Sequence, residues 1–570
     1  MNAIPTGIDS GANAPSPQAP EADTKGSPPL AVLTGLDFET LPLHDARHSG
    51  ELERLHARTL PPHTLMQRAG LALARLALAV APHGQRIEIV AGPGNNGGDG
   101  FEAAIHLRRW GKAVRVWWLG SAERQPADAR TSRLGALATG VEVRALGDVD
   151  ADGEGAIDAA FVRAIESADA RDLIVDALLG RGLNRPAQGR LANCIAAMNA
   201  SLAAVLAVDL PSGLNGDTGT WAKPDGAHDT AVVAARWTLA LLSPAPGIFT
   251  GMGRDSAGDI WWHDLAVDLD AIAPQARLER GAALARLAQP RCHVQHKGSF
   301  GDVWVVGGAA SMAGAASLAA RAALQCGAGR VYVDLLDPDS RRTDPLHPEL
   351  MLGSMPTAER LAMSTVIAGC GGGADIAARL PLLIAHAGRL VLDADALNAI
   401  AADDALDEAL RRRGVAGRPT VITPHPLEAA RLLGCSAAQI QGDRLAAART
   451  LAERWQLVVV LKGSGTVIAS PRQTPSINAS GNAALATPGS GDVLAGCLGG
   501  LWSRSAGQSL DPAADRVRAL SLAHEAALAA CHLHGRTAQT MSPQAEALPA
   551  GHLAEGLGDE LRRIAQARMA

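Results

Sequence analysis

Short apolar segments recur along this chain, and most of them end at an aspartate or a glycine. Leu173–Asp176 and Val205–Asp209 end in aspartate, whereas Val303–Val306 runs into Gly307 and Gly308. Short apolar segments that alternate with amphipathic ones are typical of parallel strands connected by helices. Ligands of such sheets bind in the loops that follow the carboxyl ends of the strands. The pattern therefore predicts an α/β protein whose functional residues lie in those loops.

The chain has 570 residues, which is too many for one hydrophobic core. The strand–helix pattern occurs in two series, and an Ala- and Arg-rich segment separates them. We predict a disordered tail over residues 1–30, because this segment is rich in Pro, Ala and Ser. A first α/β domain is predicted over 31–268, a linker over 269–289 and a second α/β domain over 290–570.

The composition argues against several classes of function. The net charge is −6 and aromatic residues make up 3%, so the chain has neither a basic field for phosphates nor many rings for base stacking. Its seven cysteines are scattered, which favours reduced thiols over disulfides or zinc. No apolar run reaches membrane-spanning length, and no signal-peptide pattern is visible. We expect a cytoplasmic protein that binds neither nucleic acid nor membrane.

One motif carries most of the chemistry. Gly489-Ser490-Gly491-Asp492 precedes an apolar helix predicted from Val493. Glycines let backbone N–H groups approach an anion closely, and a helix N-terminus adds partial positive charge. An aspartate beside such a pocket can take a proton from a hydroxyl while the pocket holds a phosphoryl group. The motif indicates a small-molecule enzyme that uses ATP or ADP; a plain helix cap with turn glycines is the alternative.

Three segments of the first half place polar groups at predicted strand ends. Gly92–Gly100 contains five glycines, which predicts a tight, ligand-cradling loop before a helix at about 101–110. The other two segments are Asp176–Leu183 and Asp209–Asn215. In a parallel sheet all three should converge at one edge. A buried carboxylate is costly unless it is used, although an aspartate before glycine or proline is often a turn residue.

Strand ends of the second half add further polar groups. They supply the paired acids Asp393 and Asp395, the histidine His425 between two prolines, and the Gly-rich turn Lys462–Thr466. The histidine could be a packed, satisfied side chain and the lysine a solvated one. Their positions directly after strands favour ligand binding instead.

Residues 31–268 resemble the N-terminal YjeF family, the NAD(P)H-hydrate epimerases, which have a Rossmann-like three-layer fold. The matching segments are Leu65–Gly70, Pro93–Gly100, Asp176–Leu183 and Asp209–Gly213. The resemblance implies that Asp209 is the catalytic base. The implied substrate site consists of Asn95, Asn96, Gly97, Gly98, Asp99, Gly180, Arg181, Gly182, Leu183, Asn184, Arg185, Pro186 and Asp209. The implied potassium ligands are Asn96, Asp176 and Ser212.

Residues 290–570 resemble the C-terminal YjeF family, the ADP-dependent NAD(P)H-hydrate dehydratases, which have a ribokinase-like three-layer fold. The matching segments are His296–Gly301, Asp393–Asn398, Thr423–Pro426, Lys462–Thr466 and Gly489–Asp492. The resemblance implies that ADP and Mg²⁺ are used and that Asp492 is the catalytic base. The implied hydrate site is Ala315, Gly372, His425 and Asp492, and the implied nucleotide site is Lys462, Gly463, Ser464, Gly465, Thr466 and Gly491. Cys370 stands where this family has a proline.

Together the two resemblances imply repair of hydrated NADH and NADPH. The first domain would interconvert the R- and S-hydrates, and the second would dehydrate the S form with ADP, releasing AMP and phosphate. The implied partners are these small molecules, with the chain forming a homo-oligomer. Two alternatives stay open on the residues alone: a ribokinase-like vitamin or sugar kinase, and a first half that is a non-catalytic binding module.

Overall fold

The computed structural model describes residues 30–33, 40–147, 158–183, 185–220, 231–289, 291–337, 339, 344, 346–507 and 516–567. The tail predicted over 1–30 lies outside the described residues apart from Leu30, and the predicted substrate contact Asn184 also lies outside them. Within the described part of the chain, no helix combines the length and the apolar character needed to cross a bilayer.

Strands and helices alternate through most of the described chain. The strands are β1 (Ala31–Val32), β2 (Leu41–Leu43), β3 (Arg86–Ala91), β4 (Ala113–Leu119), β5 (Glu142–Gly147), β6 (Leu173–Ala177), β7 (Ala204–Val208), β8 (Trp237–Leu241), β9 (Asp259–His263), β10 (Ala276–Glu279), β11 (Asp302–Gly307), β12 (Arg330–Leu335), β13 (Met351–Leu352), β14 (Thr365–Ala368), β15 (Arg389–Leu392), β16 (Thr420–Ile422), β17 (Val458–Leu461), β18 (Val467–Ala469) and β19 (Ser476–Asn478). The α-helices are α1 (Ala46–Ala57), α2 (Thr64–Val80), α3 (Asn95–Arg109), α4 (Ala127–Ala138), α5 (Ala159–Glu166), α6 (Gly189–Ala200), α7 (Gly253–Ser256), α8 (Ala282–Leu287), α9 (Ala313–Gln325), α10 (Ala358–Ala362), α11 (Leu380–His386), α12 (Asp395–Ala402), α13 (Asp404–Val415), α14 (Pro426–Leu433), α15 (Ala437–Gly442), α16 (Arg444–Trp455), α17 (Ser490–Ser503), α18 (Arg516–Met541) and α19 (Ala550–Ala567).

The strands form two sheets. The first has the order β1-β9-β8-β7-β6-β3-β4-β5, and only its edge strand β1 is antiparallel among the described strands. The second has the order β13-β12-β11-β14-β15-β16-β17-β18-β19-β10-β2 and is parallel from β13 to β17. Chain order reverses between β3 and β6 in one sheet and between β11 and β14 in the other, so ligand crevices are expected at those two points.

Alternate side chains of the central strands belong to different hydrophobic cores. In the first sheet Ile89 packs in one buried cluster, whereas its neighbour Val90 packs in another. In the second sheet Val305 packs in one buried cluster, and its neighbour Trp304 packs in another. Since successive strand residues point to opposite faces, each sheet is covered on both sides. The predicted α/β class with three layers in each half is confirmed.

The segment predicted as a linker, 269–289, contains β10 and α8. Strand β10 pairs in parallel with β19 and antiparallel with β2, so both strands complete the second sheet. Strand β2 precedes the whole first sheet in sequence apart from β1, yet it lies at the edge of the second sheet. The two halves are therefore connected by more than one chain segment, and the domain limits themselves stay a prediction.

The Gly-rich segment of the first half is mainly helical, and the prediction of a loop over 92–100 was wrong. Helix α3 begins at Asn95, and none of the five glycines has a positive φ. A Cβ on Gly97 would lie 2.2 Å from the carbonyl oxygen of Gly92, and one on Gly100 would lie 2.9 Å from the Cβ of Ala177. These glycines therefore allow close packing of the helix on the sheet, and this packing outweighs their low helix propensity.

Candidate functional site

The three acidic or Gly-rich segments of the first half converge, as predicted, and Leu179 connects them. The Asn96 side-chain amide donates to the Leu179 carbonyl at 3.0 Å, and the Leu179 N–H donates to the Ser212 hydroxyl at 2.9 Å. The Ser212 hydroxyl donates to Asp176 at 2.6 Å, and the Ser212 N–H donates to the other oxygen of that carboxylate at 2.8 Å. The residues predicted as potassium ligands therefore form one cluster.

Asp176 is completely buried at the end of β6. Burial raises the pKa of its carboxyl to about 6, although the hydrogen bonds from Ser212 act in the opposite direction. A buried carboxylate next to hydroxyl, amide and carbonyl oxygens is a set of hard donors, which alkali and alkaline-earth cations prefer. The residues present therefore fit a potassium ion.

Asp209, the predicted base, follows β7 with a φ of 66°, which is uncommon for a residue other than glycine. Its carboxylate forms a two-point ion pair with Arg181, with N···O distances of 2.9 Å for both bonds. Arg181 also donates to the backbone carbonyls of His44 and Leu241. The predicted substrate contact Arg181 thus holds the predicted base in one orientation.

A cavity of about 940 Å³ opens beside these groups. Its wall contains most of the described residues predicted to bind substrate: Asn95, Asn96, Asp99, Gly180, Arg181, Gly182, Leu183, Arg185, Pro186 and Asp209. Gly97 and Gly98 are buried in α3 and do not line it. This volume is at the upper end of the range for small-molecule and cofactor sites.

Sequence reasoning missed several polar residues of this wall, among them Glu53, His63 and Asp128. Loss of solvent and the nearby Asp209 raise the pKa of Asp99 well above its ordinary range. Glu53 lies in an amphipathic helix, where nothing local distinguishes it from a solvated acid. Only the packing of α1 against the crevice brings it to the site.

In the second half, an ion pair connects the ends of β15 and β17, which lie on either side of β16 in the sheet. The Lys462 ammonium donates to Asp393 at 2.6 Å, and the Thr423 hydroxyl donates to the same carboxylate oxygen at 2.7 Å. Burial alone would lower the pKa of Lys462, but Asp393 and Glu428 together raise it. Lys462 is therefore a positive charge held inside the crevice rather than on the surface. Asp393 belongs to this centre, although the sequence analysis did not assign it to the site.

Asp492 lies next to this pair, in the first turn of α17, which begins at Ser490 rather than at Val493 as predicted. The thiol of Cys370 and a carboxylate oxygen each of Asp393 and Asp492 all lie within 4.8 Å of one another. Burial and the charge of Asp393 raise the pKa of Asp492 to about 6, while a hydrogen bond from the Cys370 thiol lowers it. A carboxylate with this pKa is a stronger base than an exposed one.

The two glycines of this motif lie at the N-terminus of α17, and Gly491 lies beside Lys462. A Cβ there would lie 3.4 Å from the Lys462 nitrogen and 4.0 Å from an oxygen of Asp393. Gly489 precedes α17 with a φ of 87°, a conformation that glycine adopts without strain. The N-terminus of α17 therefore lies beside the lysine, which is the arrangement that binds phosphate.

His425 is the N-cap of α14. Its Nδ1 accepts from the N–H groups of Leu427 and Glu428 at 3.1 and 3.3 Å, and its Nε2 lies 3.2 Å from the Glu428 carboxylate. Burial and the nearby Lys462 lower the pKa of His425. The His425 side chain therefore has hydrogen-bond partners within the protein, as expected for a packed, satisfied histidine. It is also a neighbour of Lys462.

The two remaining predicted contacts with hydrate also lie near this crevice. A Cβ on Gly371 would lie 2.8 Å from the Cβ of Ala315, which places Ala315 beside the Gly369–Gly373 loop that contains Gly372. Lys462 to Thr466 form a turn in which Gly463 and Gly465 have φ values of 137° and 61°. The predicted hydrate and nucleotide residues therefore surround one site after β14, β16 and β17.

Two families match this chain. Residues 62–247 match the family of the YjeF-related protein N-terminus, and residues 303–562 match the NAD(P)H-hydrate dehydratase family. The first match contains all three converging segments of the first half. The second contains the Lys462–Asp393–Asp492 centre.

Curated relatives match over almost the whole chain. The bifunctional NAD(P)H-hydrate repair enzyme Nnr of Escherichia coli strain K12 is 34% identical over 524 residues, which cover 90% of this chain and 92% of the relative. Its counterpart from Moorella thermoacetica is 35% identical over 551 residues, which cover 91% and 96%.

Among solved structures, the ADP/ATP-dependent NAD(P)H-hydrate dehydratase of Bacillus subtilis, co-crystallised with ATP and Mg²⁺, is 26% identical and has a TM-score of 0.38. The match covers 49% of this chain and 96% of the Bacillus subtilis chain.

The family matches and the curated relatives confirm the predicted pairing of an epimerase with a dehydratase over the kinase alternative. This chain belongs to the bifunctional NAD(P)H-hydrate repair enzyme family.

Proposed function

We propose that the two crevices of this chain divide the repair of hydrated NADH and NADPH between them. The first interconverts the R- and S-hydrates, and the second dehydrates the S-hydrate at the expense of ADP. The observation that carries this proposal is the joining of Lys462, Asp393 and Asp492 at the N-terminus of α17. A buried cation, an anion-binding helix end and a carboxylate base are what phosphoryl transfer to a hydroxyl requires.

Dehydration begins when Asp492 takes the proton of the hydroxyl at C6 of the hydrated nicotinamide ring. The oxygen then forms a bond to the terminal phosphorus of ADP, the bond between that phosphorus and the bridging oxygen breaks, and AMP leaves. Phosphate is a better leaving group than hydroxide, so it departs from C6 with the bonding electrons. Loss of a proton from the neighbouring ring carbon restores the double bond of the dihydronicotinamide.

The charges of the second site suit these steps. Lys462 and the N-terminal N–H groups of α17 face the position of the terminal phosphoryl group and stabilise negative charge there. The Asp393 carboxylate would hold Mg²⁺ together with the nucleotide phosphates, while Asp492 stays free to act as the base. When bound, the ion neutralises phosphate charge and orients the transferred group.

In the first crevice, Asp209 accepts and returns a proton while the two epimers interconvert. Arg181 fixes the orientation of that carboxylate, and Asn95, Asn96 and Asp99 of the cavity wall contact the hydrated nucleotide. The cluster of Asn96, Asp176 and Ser212 would hold potassium, which supplies a fixed positive charge when bound. The two sites use different acids, so each reaction has its own base.

The test uses the full-length protein with mixed hydrate epimers and ADP, ATP or no nucleotide. Absorbance at the dihydronicotinamide band reports the product, and a phosphate assay reports the leaving group. We expect recovery of the dihydronicotinamide with release of free phosphate. A stable phosphorylated product, or recovery that does not depend on a nucleotide, would refute a dehydratase and favour the kinase alternative.

We also propose that the protein is cytoplasmic and forms a homo-oligomer. The seven cysteines are free thiols and five of them are buried, as expected in a reducing compartment. Analytical ultracentrifugation would report the oligomeric state, and a fluorescent fusion would report the location. A monomer, or a fusion found outside the cytoplasm, would contradict these two expectations.

A further inference from the structure

A short segment of the first half rests against the turn that is proposed to bind ADP. The segment is 248–251, which precedes α7, and the turn is Lys462–Thr466. The Thr250 hydroxyl lies 3.1 Å from the carbonyl oxygens of both Ser464 and Gly465. Thr250 is 1% exposed, so water does not compete for these contacts. One side chain of the first half therefore holds two backbone groups of the nucleotide turn.

Arg444 holds the same turn from α16. Its Nε donates to the Thr250 hydroxyl at 3.1 Å, and its terminal nitrogen donates to the carbonyls of Leu461 and Lys462 at 3.2 and 3.1 Å. Arg444 is 1% exposed, and burial lowers the pKa of its guanidinium to about 10, so it stays charged at pH 7. Because the hydroxyl accepts from Arg444, its own proton points toward the carbonyls of the turn.

Backbone contacts reinforce this arrangement. The Gly251 N–H donates to the Ser464 carbonyl at 3.1 Å, and the Ser464 hydroxyl donates to the Gly251 carbonyl at 2.9 Å. A Cβ on Gly465 would lie 1.9 Å from the carbonyl oxygen of Phe249. The path of the turn is therefore shaped by the first half of the chain as well as by its own glycines.

We propose that Thr250 is a positioning residue for the ADP site, through which the first half of the chain keeps the nucleotide turn in its binding conformation. The proposal rests on the proposed role of Lys462–Thr466 in binding ADP. Thr250 contacts the backbone of the turn and acts through it. Without the hydroxyl, the Gly465 carbonyl and one guanidinium N–H lose this partner and the Ser464 carbonyl is left with the Gly251 N–H, so the turn has to be ordered by ADP itself. Thr250 thereby makes ADP use in the second site depend on an intact first half.

The test compares Thr250→Val with Thr238→Val in the full-length protein. Thr238 is the matched control, because it is also buried in the first half and its hydroxyl donates to the Ala257 carbonyl at 2.7 Å, away from the turn. We expect Thr250→Val to raise the KM for ADP about tenfold, with the KM for the S-hydrate and the rate of epimerisation within about twofold of wild type. Thr238→Val should leave the KM for ADP unchanged. Equal ADP constants for the two variants would overturn the positioning role.

Hydrogen exchange on the wild type gives a second measurement that needs no variant. We expect ADP with Mg²⁺ to slow exchange both in 461–467 and in 247–252, because coupling between two elements is reciprocal. Slower exchange in 461–467 alone would refute the positioning role while leaving the ADP site intact. Slower exchange in neither segment would refute the ADP site, and the role of Thr250 with it.

Discussion

Replacing Asp492 with asparagine tests the central chemical step. The substitution keeps the shape of the side chain and removes its ability to accept a proton. A general base typically contributes ~10²–10⁴-fold to a rate, so we expect dehydration to fall by that factor. Epimerisation should continue at the wild-type rate, because its proposed base, Asp209, directly follows β7 of the other sheet.

The pKa of Asp492 also fixes the pH dependence of the wild type. Burial and the neighbouring Asp393 raise that pKa to about 6. At pH 7 about 90% of the carboxyl is then ionised, and at pH 5 only about 10%. Since the base has to be ionised, kcat/KM for dehydration should fall about tenfold for each pH unit below 6. The residual activity of Asp492→Asn should lack this decline.

The assay follows absorbance at the dihydronicotinamide band, with pure S-hydrate and saturating ADP, between pH 5 and 8. Asp404→Asn is the matched control. Asp404 and Asp492 both lie in the first turn of a helix, α13 and α17 respectively, but Asp404 is exposed and lies outside the site. The control should behave as the wild type. Near-normal dehydration by Asp492→Asn, or a wild-type rate that stays constant down to pH 5, would refute the assignment of the base.

Three further substitutions test the surrounding groups. Lys462→Ala should raise the KM for ADP more than that for the hydrate, because a buried lysine is a point charge on phosphate; an unchanged ADP constant would contradict this. Asp209→Asn should consume S-hydrate and leave R-hydrate behind in a short assay with ADP; consumption of both epimers at the wild-type rate would rule out Asp209 as the base. Cys370→Ala should move the acid limb of dehydration to higher pH, since the thiol hydrogen bond lowers the pKa of Asp492; an unmoved limb would show that the thiol does not tune the base.

Local sequence determined the fold class and the positions of the polar loops. Strands such as Leu173–Ala177 can be predicted because a buried parallel strand needs a short apolar run, and its end has to be marked by residues that leave the sheet. The Gly489–Asp492 motif is equally local, since the glycines and the acid act within one turn. These features depend on residues that are close together in sequence, so the fold class and the polar loops could be predicted without the tertiary structure.

Other features depend on residues far apart in sequence, and only the tertiary structure decided them. Strand Leu41–Leu43 joins the second sheet because its pairing partner is Ala276–Glu279, and no local pattern specifies that register. The glycines of α3 are set by close packing against neighbouring helices, strands and the preceding loop rather than by turns. Arg181 meets Asp209, and Thr250 meets the turn at Ser464, across 28 and 214 positions of the chain. Hydrogen bonds of this kind are decided by packing, because the energy of each contact depends on what the fold places opposite a side chain and on how far it excludes water.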